Sequence, residues 1–184
     1  MSVNIQLEWT PNPSTLKYVV DRDLLPKGAI NFTTLEKAKE RSPLAEKLMG
    51  IGGVTGVMLG TNFVTVTKGD QGEWDDVNDQ VMGLLDTHLT AGEPVYVGDL
   101  DSAHVGQGGG PVEERIRDIL DSEIRPAVMQ DGGDIVLDRF EDGLVYLQMK
   151  GSCSGCPSST MTLKMGIESR LKELVPEVRE VVSV

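Results

Sequence analysis

Asp134–Phe140 reads DIVLDRF and Leu144–Lys150 reads LVYLQMK, with Asp142-Gly143 between them and Gly151-Ser152-Cys153-Ser154-Gly155-Cys156-Pro157 directly after. Asp-Gly between two apolar runs is a strong signal for a tight β-hairpin. Val145, Leu147 and Met149 then share one face of the second strand, at the period of two that a half-buried strand requires. Upstream, Val112, Ile116, Ile119, Leu120 and Ile124 recur at helical spacing and stop at Pro126. Downstream, Leu163, Ile167, Leu171, Leu174 and Val175 form the stripe of another helix, and Val178–Val184 reads as a closing strand. The order helix, hairpin, cysteine loop, helix, strand describes a small α+β unit with its thiols between a strand and a helix.

Residues 98–111 precede this unit and end in Gly108-Gly109-Gly110-Pro111, the composition of a flexible linker. A phosphate loop is excluded there, because no strand leads in and no Gly-Lys-Ser/Thr follows. Within residues 1–97, Val3, Ile5, Leu7 and Trp9 alternate with polar residues as in a half-buried strand. Ser42-Pro43 starts a short capped helix that stops at Gly50. Val54–Leu59 and Phe63–Lys68 flank Gly60-Thr61-Asn62 as a hairpin, and Trp74, Val77, Val81, Leu84, Leu85 and Leu89 mark a longer helix. Trp9 and Trp74 are expected in the core. The expected architecture is α+β: two small α/β-type domains, each a short mixed sheet with packed helices, over 1–97 and 112–184, joined by a glycine-rich linker over 98–111.

The chain has 184 residues and a formal charge of −12, with 8 basic and 15 acidic side chains in residues 1–106 and 9 and 14 in residues 107–184. With no basic stretch to neutralise phosphates, nucleic acid is excluded as a partner, and an acidic surface is repelled by anionic membrane. No apolar run approaches the roughly 20 residues of a membrane span. The first residues alternate like a strand and show neither a secretory nor a transit pattern, so the expected compartment is the cytoplasm.

Cys153 and Cys156 are the only cysteines. At C-x-x-C spacing they can bind a soft metal together or exchange electrons as a dithiol. Pro157 suits the first turn of a helix, which puts Cys156 near the cap, where backbone N–H groups lower a thiol pKa. Lys150 and Lys164 lie near enough in sequence to offset thiolate charge. A thioredoxin-like dithiol is disfavoured, since proline follows the motif instead of lying inside it and the host unit is short. Two thiolates are half the ligand set of a zinc ion or an iron–sulfur cluster, so a second copy of the chain is the simplest source of the rest. His88 falls on the apolar face of its helix and His104 in the linker, so neither is expected to be a ligand. Asp131 and Asp134 are explained by turn chemistry, with support of the cysteine loop as the alternative. Met161 and Met165, one turn apart, lie opposite the apolar stripe of their helix, where they are either simply tolerated exposed methionines or a dimer or client contact.

Asp131-Gly132-Gly133-Asp134, then Gly151 to Lys164 through Cys153 and Cys156, then Val175-Pro176-Glu177-Val178, resemble the C-terminal domain of the NifU/Nfu iron–sulfur scaffold family over residues 112–184. Thr10-Pro11-Asn12-Pro13, the Gly52–Gly56 region and Asn62 to Lys68 resemble the N-terminal domain that accompanies it in two-domain Nfu proteins. The resemblance implies a [4Fe–4S] cluster held between two chains by Cys153 and Cys156 of each. It also implies a homodimer when loaded, an upstream cluster donor, and transfer to apo iron–sulfur clients by a carrier that is not an enzyme. The alternatives are a dithiol/disulfide oxidoreductase or a structural zinc-binding dimer using the same two cysteines.

Overall fold

The computed structural model describes residues 2–98, 110–154 and 157–184, the side chains of 157–159 excepted. The expected linker falls outside the described residues from 99 to 109, as does the second cysteine, Cys156. The chain divides into two compact units, Met1–Asp99 and Leu100–Val184.

The first unit holds strands β1 (Ile5–Trp9), β2 (Thr15–Val20), β3 (Ile30–Phe32), β4 (Val54–Leu59) and β5 (Phe63–Lys68) in the order β1-β2-β5-β4-β3. Its helices are α1 (Leu35–Arg41), α2 (Pro43–Met49) and α3 (Trp74–Thr90). In detail this sheet is antiparallel throughout instead of mixed. Adjacent strands such as β4 and β5 are joined by short turns, whereas a parallel pair needs a crossover of about a dozen residues or more. Opposed residues in an antiparallel ladder share a face, which places Leu16 with Val66, Tyr18 with Val64, and Val57 with Val66 on one side. The buried stripe Val77, Val81 and Leu85 of α3 covers that side, and Tyr18 Oη donates to Asn78 Oδ1 at 3.2 Å. Ser42 caps α2 by accepting from the Ala45 amide at 2.9 Å and also donates to the Val95 carbonyl at 2.6 Å. A cap of this kind contributes about 1 kcal/mol.

Trp9 departs from the core reading, being 75% exposed. Alternation identified its face correctly, but β1 is the edge strand of the sheet, where a side chain on that face is left open.

The second unit carries α4 (Pro111–Ile119), a π-helical turn over Leu120–Ile124, α5 (Arg125–Gln130), β6 (Gly133–Glu141), β7 (Leu144–Gly151), α6 (Pro157–Leu174) and β8 (Glu180–Ser183). β6 and β7 pair antiparallel around Asp142 (φ 51°) and Gly143 (φ 83°), the two positive dihedrals that an Asp-Gly hairpin demands. β8 joins β7 in parallel, so this sheet is mixed. Pro126 does not end the helical run. The π turn absorbs it by restarting the helix at Arg125, which leaves the proline in a first turn where its missing N–H is not needed. The core comprises Ile116, Leu120, Ile135, Leu137, Leu147, Ile167 and Leu171 among others, and it includes Cys153. Among the described residues no helix is long and apolar enough to cross a membrane.

Candidate functional site

The cysteine loop leaves β7 at Gly151, whose φ of 62° turns the chain sharply back across the end of the sheet. Gly151 pairs with Gly133 across the ladder, so this end of the hairpin has no side chains between its strands. Cys153 occupies the space this frees. A Cβ built on Gly133 would lie 2.2 Å from Cys153 Sγ, so only glycine permits the thiol there.

Hydrogen bonds on both sides hold the loop. The Ser152 amide donates to the Gly132 carbonyl at 3.2 Å and Ser152 Oγ to the Asp131 carbonyl at 2.5 Å. Ser154 Oγ donates to the Gly151 carbonyl at 2.9 Å, and Thr160 Oγ1 of α6 to the Cys153 carbonyl at 2.9 Å. Cys153 is 7% exposed. Burial pushes its thiol up to about 11, and the carboxylates of Asp131 and Asp134 push the same way. Cys153 packs into the core, against β6 at Gly133, twenty residues earlier in the chain.

Asp131-Gly132-Gly133-Asp134 therefore does more than make a turn. Asp134, 1% exposed, takes a two-pronged contact from Arg125, Nε to Oδ1 at 2.8 Å and a terminal nitrogen to Oδ2 at 2.9 Å, and accepts from the Ile135 amide at 2.9 Å. Arg125 also reaches Asp121 at 2.9 Å, which ties the π turn to the strand that shelters the thiol. The spacing of Arg125 and Asp134, nine residues across a helix end and a turn, matches no periodic pattern and could not be read in advance.

Cys156, expected at the cap of α6, lies outside the described residues. Among the described residues no group of three or more histidine, cysteine, aspartate or glutamate side chains is arranged to hold a metal. His88 is buried in the first unit, where Lys47 Nζ lies 3.3 Å from Nδ1 and the Pro94 carbonyl 3.1 Å from Nε2. Desolvation lowers its pKa. It is the packed, hydrogen-bonded histidine that its position on α3 indicated. His104 lies outside the described residues. Lys164 pairs with Glu180 at 3.5 Å. Met161 and Met165 are each 65% exposed on α6.

Two family models match the chain: the NifU-like domain over residues 116–182 and the scaffold protein Nfu/NifU N-terminal domain over residues 5–92. A human protein named "NFU1 iron-sulfur cluster scaffold homolog, mitochondrial" is 38% identical over 96% of this chain and 70% of its own length. A Drosophila virilis protein of the same name is 38% identical over 98% of this chain and 61% of its own. "NifU-like protein 4, mitochondrial" of Arabidopsis thaliana is 38% identical over 96% and 64%. The chain thus spans between about three fifths and seven tenths of these relatives. Their names overturn the cytoplasmic expectation and point to mitochondria. An organelle address is a segment separate from the fold it directs, so strand-like alternation and acidic composition carry no information about compartment.

Proposed function

Since the chain belongs to the NifU/Nfu family of iron–sulfur cluster scaffold proteins, we propose that two copies hold one [4Fe–4S] cluster between them and pass it to apo-proteins. Cys153 and Cys156 of each copy supply four thiolates, the full ligand set of a cubane. Family membership carries this reading. In support, among the described residues of one chain no group of three or more histidine, cysteine, aspartate or glutamate side chains is arranged to hold a metal, and Gly133 leaves the room that the Cys153 thiol takes up.

The cluster is cargo. For each iron–thiolate bond to this chain that breaks, one forms to an acceptor thiolate, and the proton the acceptor thiol gives up is matched by one taken by the departing cysteine. Ligand count and oxidation state are conserved, so the chain acts as a carrier without turning over a substrate. Residues 112–184 hold the cluster. Residues 1–97 select partners and, through the linker over 98–111, stay at high local concentration near it.

Anaerobic reconstitution with iron and sulfide tests the reading. The expected product is brown, contains about two irons per chain, and is a dimer that reverts toward monomer when the cluster is removed. Four irons on a stable monomer, or a colourless protein with zinc in their place, refutes it.

A further inference from the structure

We infer that the open edge of β1, together with the facing stripe of α3, is a docking site for an extended, arginine- or lysine-bearing peptide segment. This surface belongs to the first unit and stands whether or not the cysteines hold a cluster.

β1 ends the sheet order, so one side of its backbone is unpaired among the described residues. The Asp21 amide donates to the Asn4 carbonyl at 3.2 Å, one position beyond the Ile5–Val20 pair. Antiparallel alternation then turns Gln6 and Glu8 toward β2 and leaves the N–H and C=O groups of Ile5, Leu7 and Trp9 on the open side. The same edge is apolar, with Trp9 75% and Leu7 38% exposed. Natural sheets guard such edges with charge or proline. Here the one charged residue of β1, Glu8, lies on the other face and is paired with Lys17 at 2.9 Å.

α3 runs alongside β1 in the opposite direction. Trp74 Nε1 donates to the Pro13 carbonyl at 3.0 Å near one end, and the Val3 amide donates to Asp86 Oδ1 at 3.0 Å near the other. A groove lined by Val3, Ile5, Met82 and Asp86 separates the two elements. Asp75, Asp79, Met82 and Asp86 recur at i, i+4, i+7 and i+11, a single stripe along the helix. Among the described residues no cation pairs with any of these three aspartates.

These features select the occupant. An added strand would take up the free backbone groups of Ile5, Leu7 and Trp9. Arginine or lysine at its alternate positions would lay aliphatic stems across Leu7 and Trp9 and bring its charges to Asp75 and Asp79. A second copy of this chain fits badly: its β1 reads IQLEW, without a cation, and two-fold pairing of the edges brings two acidic stripes onto one face.

The probe is the capped heptapeptide TRVRTRV, titrated into the full chain by calorimetry, with its counterpart carrying glutamate for arginine as control. One-to-one binding of the basic peptide is expected, weakened about tenfold or more for the acidic one, for Asp75→Asn with Asp79→Asn, and for Leu7→Pro. The proline removes an outward-facing N–H and no β1–β2 hydrogen bond. Circular dichroism checks that Leu7→Pro folds, and the aspartate variant decides the matter if it does not. Equal binding of both peptides, or binding that neither variant weakens, overturns the proposal. So does a free chain whose dimer dissociates on Leu7→Pro, which would assign the edge to a second copy.

Discussion

Replacing Gly133 by alanine places a methyl group 2.2 Å from Cys153 Sγ, 3.1 Å from the Cys153 amide nitrogen and 3.2 Å from its Cβ. Comfortable non-bonded contact begins near about 3.5 Å, so the overlap with sulfur exceeds about 1 Å. Cys153 belongs to the core and its loop is pinned through the Gly132 carbonyl and Thr160 Oγ1, so the sulfur yields only at the expense of that packing. Overpacking of this kind costs about 1–3 kcal/mol, and the upper half of that range is expected for Gly133→Ala. Amide hydrogen exchange along β6 and β7 reads the loss, and reconstituted iron content should fall with it. Trp9 and Trp74 both lie in the first unit, so its unfolding by tryptophan fluorescence is an internal control that should not move. Gly166→Ala on α6, where no atom lies within 4 Å of the added carbon, should be neutral or stabilising by up to about 1 kcal/mol. Combining Gly133→Ala with Cys153→Ala removes the worst contact but leaves those at 3.1 and 3.2 Å, so partial, non-additive relief of about 0.5 kcal/mol or more is expected. A Gly133→Ala protein of unchanged exchange and unchanged iron content, or a strictly additive double variant, refutes this account of the site.

Asp134→Ala strands Arg125 beside a buried position and should destabilise the second unit by about 3 kcal/mol, measured by the same exchange experiment; an effect below about 1 kcal/mol would mean the pair is solvated. His88 is held neutral by burial, with Lys47 and Glu93 the charged groups facing it, and its folded pKa lies below 6.5. Below about pH 6.5 the unfolded chain therefore binds more protons than the folded one, so the first unit's stability is full above that pH and declines as pH falls. His88→Gln should flatten that decline in urea titrations at pH 7 and pH 5, and an unchanged slope would refute it. Met161→Gln with Met165→Gln should leave stability within about 0.5 kcal/mol and iron content unaltered, since both side chains are exposed, while slowing cluster transfer to an apo-acceptor; an unaltered transfer rate would remove them from the client surface.

The second unit was legible where local chemistry speaks. Asp142-Gly143 forces its hairpin, and the stripe through Ile167 and Leu171 forms its helix. Residues 14–41 were not, because β2 is buried on nearly every side chain and shows no alternation to mark it as a strand. Pro126 reads as a helix stop in any local pattern, and only the π turn upstream cancels it. The C-x-x-C and the family resemblance made Cys153 visible, but its surroundings were hidden. Gly133 and the Arg125–Asp134 pair act on it through the register of a ladder, which composition does not encode.

That ladder has a direction. Its Glu141–Leu144 end is closed by the turn, and its Gly133–Gly151 end is the far terminus. A hairpin zips from its turn and frays from its open end, so the shelter around Cys153 is the last part of the hairpin to close and the first to open. Two facing glycines make that terminus weaker still, with the Asp134–Arg125 pair as the latch one rung inside it. Opening of that end would uncover a side chain that is 7% exposed at rest while the rest of the sheet stays paired.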